Sequence, residues 1–296
     1  MRTHRLRRST VGTLLSALVL LIAVPLQAHD FWLIPLGFKV AVGAELTVLG
    51  QTSSAFPSSQ SAVTVDRVAT ATVVDARGSS AITDLAAAQT SLRLRSRPAT
   101  AGEKIVAVTI HPRSVRESSE AFQRYLVLEG APEALERLKA EGRVPRDSVT
   151  RRYAKYAKSL VTVGTGGPAA WTRTVGHPLE FVPVGAPMLA QDQTIAVRLV
   201  MLGKPVPHAK VHAGFVPLGG AAGLNTQAGT EQVTHFETDA QGIVRVPLRS
   251  TGLWNLRTIQ IVEAAPGSGA DWDTHWATLV FAVELGHTHG GGPALR

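Results

Sequence analysis

A histidine-aspartate pair, His29-Asp30, directly follows a leader-like segment at the start of the chain. Cleavage after Ala28 would make His29 the new amino terminus and would place an α-amino group and an imidazole on one residue. These two nitrogens can chelate one transition-metal ion in a way that no internal histidine can. Asp30 adds a carboxylate oxygen one residue later. The sequence therefore predicts a metal site built on His29, with Asp30 as an oxygen ligand.

The segment before His29 has the three parts of a secretory signal peptide in the right order. Arginines crowd its first eight residues, residues 11–22 are nearly all apolar or small, and Ala28 places a small residue at the cleavage position. The apolar stretch is shorter than the roughly 20 residues that span a bilayer. We therefore expect residues 1–28 to be a cleaved signal peptide and the protein to be periplasmic or secreted.

Two histidines close to the C-terminus are further candidate ligands. His287 and His289 are two residues apart, and in an extended chain they would lie about 7 Å from each other, close enough to bind one ion together. The glycines around them predict a flexible tail over residues 287–296. The alternative interpretation is a free chain end in which both histidines are incidental.

Three histidines of the second half are not expected to be ligands. His208 and His212 lie four apart in a predicted strand, so about 13 Å would separate them, and exposed surface is their expected place. His235 lies in a polar hairpin and has no ligand spacing of its own.

Composition narrows the function classes. The chain has 30 basic and 22 acidic residues, and without the four arginines of the leader its net charge falls to about +4. That balance, with no long basic run, does not indicate a nucleic-acid partner. Because the chain has no cysteine, a metal must be held by nitrogen and oxygen. The sequence motifs of the common hydrolases, metalloproteases and nucleotide-binding enzymes are missing, so we do not expect an enzyme.

The pattern along the chain predicts a mainly β protein, with short β-branched or alternating runs separated by turn residues. One segment, residues 131–142, has a proline near its start, helix formers inside and a glycine at its end, which predicts a helix. A second helix is expected around residues 118–127. The predicted strands are residues 44–48, 71–74, 91–94, 105–110, 159–163, 179–182, 194–201, 209–215, 243–248, 258–262 and 277–283.

The glycine-rich stretch 164–178 predicts a boundary between two β-sandwich domains. The first would cover residues 29–167 and contain the helical insertion, and the second would cover residues 177–286. Within the first, the basic residues between Arg143 and Lys158 alternate with Tyr153, Tyr156 and Leu160 at helical spacing. This spacing predicts a helix with a basic face in solvent and a stripe of Tyr153, Tyr156 and Leu160 buried on the other side.

Six segments in this order resemble an exported family known as domain of unknown function DUF4198, some of whose members are associated with nickel or cobalt uptake systems. The resemblance covers nearly the whole chain after the leader, and it implies a periplasmic protein whose β-sandwich domains are immunoglobulin-like or transthyretin-like. The segments are residues 28–33, 122–126, 156–161, 176–183, 238–242 and 271–277.

The resemblance also directs attention to His275. Many relatives carry a histidine in the strand where this chain has Gln260, and His275 stands where an aromatic residue is more usual. His275 is therefore either a replacement ligand or a variant packing residue.

These observations predict an exported protein that binds a divalent transition metal, Ni, Co or Cu, and helps in its uptake or handling. A membrane metal transporter is the expected partner. One alternative is a copper-dependent redox enzyme with an N-terminal histidine brace. Another is a metal-free β-sandwich module that binds a cell-surface polymer or a membrane partner.

Overall fold

The computed structural model describes residues 29–128, 131–217 and 230–285. The predicted signal peptide and the tail that carries His287 and His289 lie outside these residues. Strands dominate the described chain, so the predicted mainly β fold is confirmed. The strands are β1 (Asp30–Pro35), β2 (Lys39–Val40), β3 (Leu46–Ser53), β4 (Val68–Val74), β5 (Ser79–Ala81), β6 (Asp84–Ala88), β7 (Ser91–Ser96), β8 (Gly102–Ser118), β9 (Ser148–Val163), β10 (Leu179–Pro183), β11 (Gln193–Met201), β12 (Lys204–Pro205), β13 (Lys210–Val216), β14 (Gln232–Glu237), β15 (Ile243–Leu248), β16 (Gly252–Glu263) and β17 (Trp272–Val283); the helices are α1 (Ser119–Leu128) and α2 (Pro132–Ala140).

A nine-stranded sheet runs through the molecule. Its strands follow one another in the order β14, β13, β16, β17, β9, β8, β4 and β5, and β2 pairs beside β9. Most neighbours are antiparallel, whereas β17 and β2 each run parallel to β9. The central sheet therefore joins strands from the two halves of the chain.

Two smaller sheets cover opposite faces of this central sheet and create two hydrophobic cores. The sheet β1-β3-β7-β6 packs on one face, where Phe31 and Leu33 of β1 belong to the same core as Val108 of β8. The sheet of β10, β11, β12 and β15 packs on the other face, where Phe181 belongs to the same core as Leu279. Side chains alternate between the two faces of a strand, so the central strands supply both cores.

The predicted helical stripe around Tyr153 and Tyr156 is wrong, because these residues belong to strand β9. β9 pairs with β8 on one side and β17 on the other, and both of its faces are buried. Tyr156 and Leu160 point into one core, and Ala157 points into the other. Burial on both faces removes the simple polar-apolar alternation that marks a strand in a sequence.

The two predicted helices are confirmed as α1 and α2, inserted between β8 and β9. They bury Phe122, Leu126 and Leu135 against Trp272 and Trp276 of β17. The Phe122 and Trp272 rings lie 5.4 Å apart between centroids. The insertion therefore covers the end of the central sheet where β17 begins.

The stretch 164–178 lies between β9 and β10 and contains no strand or helix. The division into domains at this stretch stays a prediction, although β9 and β17 are hydrogen-bonded to each other across it. None of the helices within residues 29–128, 131–217 and 230–285 has the length and apolar character needed to cross a membrane.

A buried ion pair between Lys158 of β9 and Glu180 of β10 joins the central sheet to its cover, at 2.9 Å. Replacing Glu180 with alanine leaves Lys158 without its carboxylate, so the free energy of unfolding should fall by about 3–5 kcal/mol. Chemical denaturation measures this change. The exposed ion pair between Lys139 and Glu136 is the matched control. Glu136→Ala should lower the free energy of unfolding by less than about 1 kcal/mol. Equal effects of the two substitutions would contradict the prediction.

Candidate functional site

A row of polar side chains crosses the face of the central sheet between the start of β1 and the helical insertion. Thr278 of β17 donates a hydrogen bond to the carbonyl of Phe31 in β1, at 2.7 Å. Two residues earlier on the same face, Trp276 packs against the helices. Arg257 stands opposite Thr278 on β16, and His212 stands opposite Arg257 on β13. This row is the candidate site.

His29 sits at one end of the row, next to Lys155 of β9. The Lys155 ammonium donates a hydrogen bond to the His29 carbonyl. Partial burial, and secondarily the charge of Lys155, lower the pKa of the His29 imidazole from its ordinary value. A lowered pKa keeps the imidazole neutral at pH 7, which is the form that binds a metal ion.

Asp30, the first residue of β1, lies beside Arg257 of β16. The Arg257 Nε atom is 3.6 Å from the Asp30 carboxylate. Asp30 is only 8% exposed, and this burial raises the pKa of its carboxyl to about 6, although Arg257 and Lys155 act in the opposite direction. The role of Asp30 as an oxygen ligand beside His29 stays a prediction.

Glu231 completes the charge balance of Arg257. The Arg257 Nη1 atom lies 2.9 Å from the Glu231 carboxylate, and Asn255 Nδ2 donates a second bond to it at 2.9 Å. A Cβ atom on Gly214 would come within 1.9 Å of the same carboxylate. Glycine at position 214 therefore makes room for Glu231. Asn255 is fully buried, and its Oδ1 atom has no hydrogen-bond partner among the described residues.

His212 and His235 stand directly opposite each other on β13 and β14. Their rings lie 4.5 Å apart between centroids and meet edge to face. His212 is half-buried and His235 is exposed. Burial, followed by the neighbouring His235 and Arg257, lowers the pKa of His212 to about 4. Surface exposure was expected for His212 and is wrong, because the ring is half-buried beside the ring of His235.

His275 lies on the other face of the central sheet from His29 and Asp30. Its Nδ1 atom is 3.1 Å from the Tyr156 hydroxyl, and its ring stacks on the Tyr156 ring at 5.9 Å. Gln260 stands opposite it on β16. The structure thus places His275 in the interface with the second core, apart from the polar row. Burial is the main cause that lowers the pKa of His275.

Within the described residues, no three side chains of the types His, Asp or Glu converge closely enough to hold a metal ion. The α-amino group of a processed His29 and solvent molecules are ligands outside this set of side chains. Sequence reasoning missed Arg257, Glu231, Asn255 and the pairing of His212 with His235. Gly214 carried the one available signal, because glycine inside a strand marks a close approach.

A family model described as "Domain of unknown function (DUF4198)" matches residues 26–261. This range includes His29, His212 and Arg257 of the polar row, whereas Thr278 lies beyond it. No curated protein matches the chain.

Solved structures that match the chain include the alpha-2-macroglobulins of Salmonella, in a mutant form, and of E. coli in its native conformation. They are 12% and 10% identical, with TM-scores of 0.21 and 0.23; 86% of this chain is covered, but only 15% and 16% of theirs. The chain thus spans about one sixth of the length of these two proteins. The three N-terminal domains of the bacteriophage RB49 Hoc capsid protein match 88% of this chain and 100% of theirs, at 9% identity and a TM-score of 0.21.

Replacing Asp30 with asparagine should change how stability depends on pH. The folded protein holds a proton on Asp30 up to a pKa of about 6, against an ordinary 3.8, so the stability contributed by Asp30 is present below about pH 4 and lost as pH rises through 6. The free energy of unfolding of Asp30→Asn, relative to that of the parent protein, should therefore rise by on the order of 3 kcal/mol when the pH is raised from 4 to 7. Urea unfolding of both metal-free proteins at the two pH values measures it. A constant difference would contradict the prediction.

Replacing Gly214 with alanine should push Glu231 away from Arg257 and Asn255, at a cost of about 1–3 kcal/mol in the free energy of unfolding. If the cost comes from Glu231, the double variant with Glu231→Ala should lose less than the sum of the single variants. Chemical denaturation of all four proteins closes this cycle. Strict additivity would show that Gly214 serves another neighbour.

Proposed function

We propose that this protein, which belongs to the DUF4198 family, binds a divalent transition metal through His29 once the leader has been removed. The α-amino group and the imidazole of His29 would supply the ligands. The protein would act outside the cytoplasm in the uptake or handling of the ion, with nickel and cobalt as the first candidates and a membrane metal transporter as the partner.

One observation carries this proposal: the strand that begins after His29 is fixed along its whole length. All six residues of β1 are buried, and β1 pairs with β3 from Asp30 to Pro35. Lys155 holds the carbonyl of His29 itself. A chelate at this position would be oriented in advance, because its carrier residue is attached to a rigid sheet.

The proton chemistry of the chelate sets its pH range. The α-amino group has an ordinary pKa of about 7.7 and must lose its proton before it binds a metal ion. Metal affinity should therefore fall as the pH drops below about 7. Lys155 brings a positive charge to His29, which favours the neutral form of the nearby nitrogens.

The ligand chemistry allows several metals. Nitrogen ligands bind Cu²⁺ more tightly than Ni²⁺ and Co²⁺ in general. A preference for copper in the test tube would therefore be compatible with nickel or cobalt in the cell, where metal supply decides occupancy.

A copper-dependent redox enzyme with a terminal histidine brace is the second candidate. It is favoured by the position of His212, which lies on the same face of the sheet and next to Arg257, the partner of Asp30. Such an enzyme needs a further imidazole on the ion held by His29. Oxidation of ascorbate by the copper-loaded protein would distinguish this candidate from a binding protein.

Calorimetric titration tests the chelate. Protein whose first residue is His29 is titrated separately with Ni²⁺, Co²⁺, Cu²⁺ and Zn²⁺. We expect binding of one ion per chain that weakens below pH 7. A chain whose α-amino group at His29 is acetylated should lose this binding, because the blocked amine can no longer coordinate the ion together with the imidazole.

The His29→Ala variant is the matched control, since it keeps a free α-amino group and removes only the imidazole. It should also lose tight binding. Equal binding by all three proteins would remove His29 from the site. Absence of binding in all three would favour the metal-free module that binds a polymer or a membrane partner.

A further inference from the structure

We infer that His212 and His235 form a second transition-metal site at the edge of the central sheet, independent of the amino terminus. The two histidines come from β13 and β14 and would offer two imidazole nitrogens to one Cu²⁺, Ni²⁺ or Zn²⁺ ion. This site goes beyond the terminal chelate, because its ligands are side chains that no processing step creates.

The geometry of the pair suits a shared ion. Directly opposed residues of antiparallel strands have Cβ atoms about 4.5–5.5 Å apart. Imidazole nitrogens bind Zn²⁺ at about 2.0–2.1 Å, so two such ligands stand no more than about 4 Å apart. The rings of His212 and His235 already lie 4.5 Å apart between centroids. Rotation of one ring from its edge-to-face position would aim both nitrogens at one point.

The charges around the pair permit a bound cation. Arg257 is the register neighbour of His212, and it is matched by Glu231 at 2.9 Å and Asp30 at 3.6 Å. Lys210, two residues before His212, is matched by Glu133 of α2 at 3.2 Å. Because each of these cations has a carboxylate partner, their repulsion of a metal ion is reduced.

Exposure of the pair allows the ion to enter and to complete its coordination. His235 is exposed on β14, the last strand at this end of the central sheet. Water can therefore occupy the remaining positions around the ion. Two imidazoles with open positions suit Cu²⁺, Ni²⁺ and Zn²⁺ better than the oxygen-preferring Mg²⁺ or Ca²⁺.

The test uses a chain in which His29, His287 and His289 are all replaced by alanine, so that neither the terminal chelate nor the tail contributes. Titration with Cu²⁺, then with Ni²⁺, should show saturable binding of one ion. Loss even of an outer partner of a metal ligand costs about 10–100-fold in affinity, so His212→Ala and His235→Gln should each weaken binding by at least about tenfold.

His208→Asn is the matched control. His208 belongs to the same region and is exposed, but its Nδ1 atom faces Glu237 at 3.1 Å instead of a second histidine. Its backbone has φ of 55°, which asparagine tolerates. This variant should bind the metal like its parent.

A second readout guards against misfolded variants. An ion shared by β13 and β14 should raise the melting temperature of the parent chain, and this shift should vanish in His235→Gln, whose melting temperature without metal should stay near that of the parent. No saturable binding in the parent chain, or binding that survives both His212→Ala and His235→Gln, would overturn the inference. Because the terminal chelate is blocked throughout, the outcome is independent of the His29 proposal.

Discussion

The parallel pairing of β9 with β17 is the interaction on which the candidate site depends. It joins residues 151–159 to residues 272–280 and makes one sheet from the two halves of the chain. The start of β1 lies over this junction and is held by one side chain from each strand. Lys155 of β9 bonds to the carbonyl of His29, and Thr278 of β17 bonds to that of Phe31. The position of His29 is thus a product of long-range pairing and cannot exist in either half alone.

A second constraint is the burial of charge beside this junction. Arg257 faces two carboxylates, and that of Glu231 is the closer one. Glu231 also accepts a hydrogen bond from the side-chain amide of Asn255. Asp30 is left with the longer contact of 3.6 Å, which does not offset the loss of solvation on burial. The resulting rise in the pKa of Asp30 marks a place where folding tolerates an unfavourable charge. Shifts of this kind occur at functional sites and also in structural networks of buried charges.

The sequence predicted the mainly β fold and the helical insertion because local patterns carry that information. Alternating residues marked the strands, and the proline of residue 132 with the glycine of residue 142 framed the second helix. β9 was misread because both of its faces are buried, which left tyrosines at a spacing that a helix also produces. The opposition of His212 and His235 depends on the register of β13 with β14. The contacts of Arg257 and Asn255 are made with residues of other strands that are distant in sequence. No local sequence pattern could therefore predict them.

Under the two metal proposals, the number of protein ligands sets what the protein could do with an ion. The terminal chelate supplies two nitrogens, and the pair of His212 and His235 supplies two more at a separate place. Structural zinc sites use four protein ligands and close the coordination shell, whereas two ligands leave positions for water or for groups of a partner. An incoming ligand can then bind before the first ligand departs, so the ion need never be bare during transfer. Open coordination on a rigid sheet is therefore better suited to passing an ion on than to storing it.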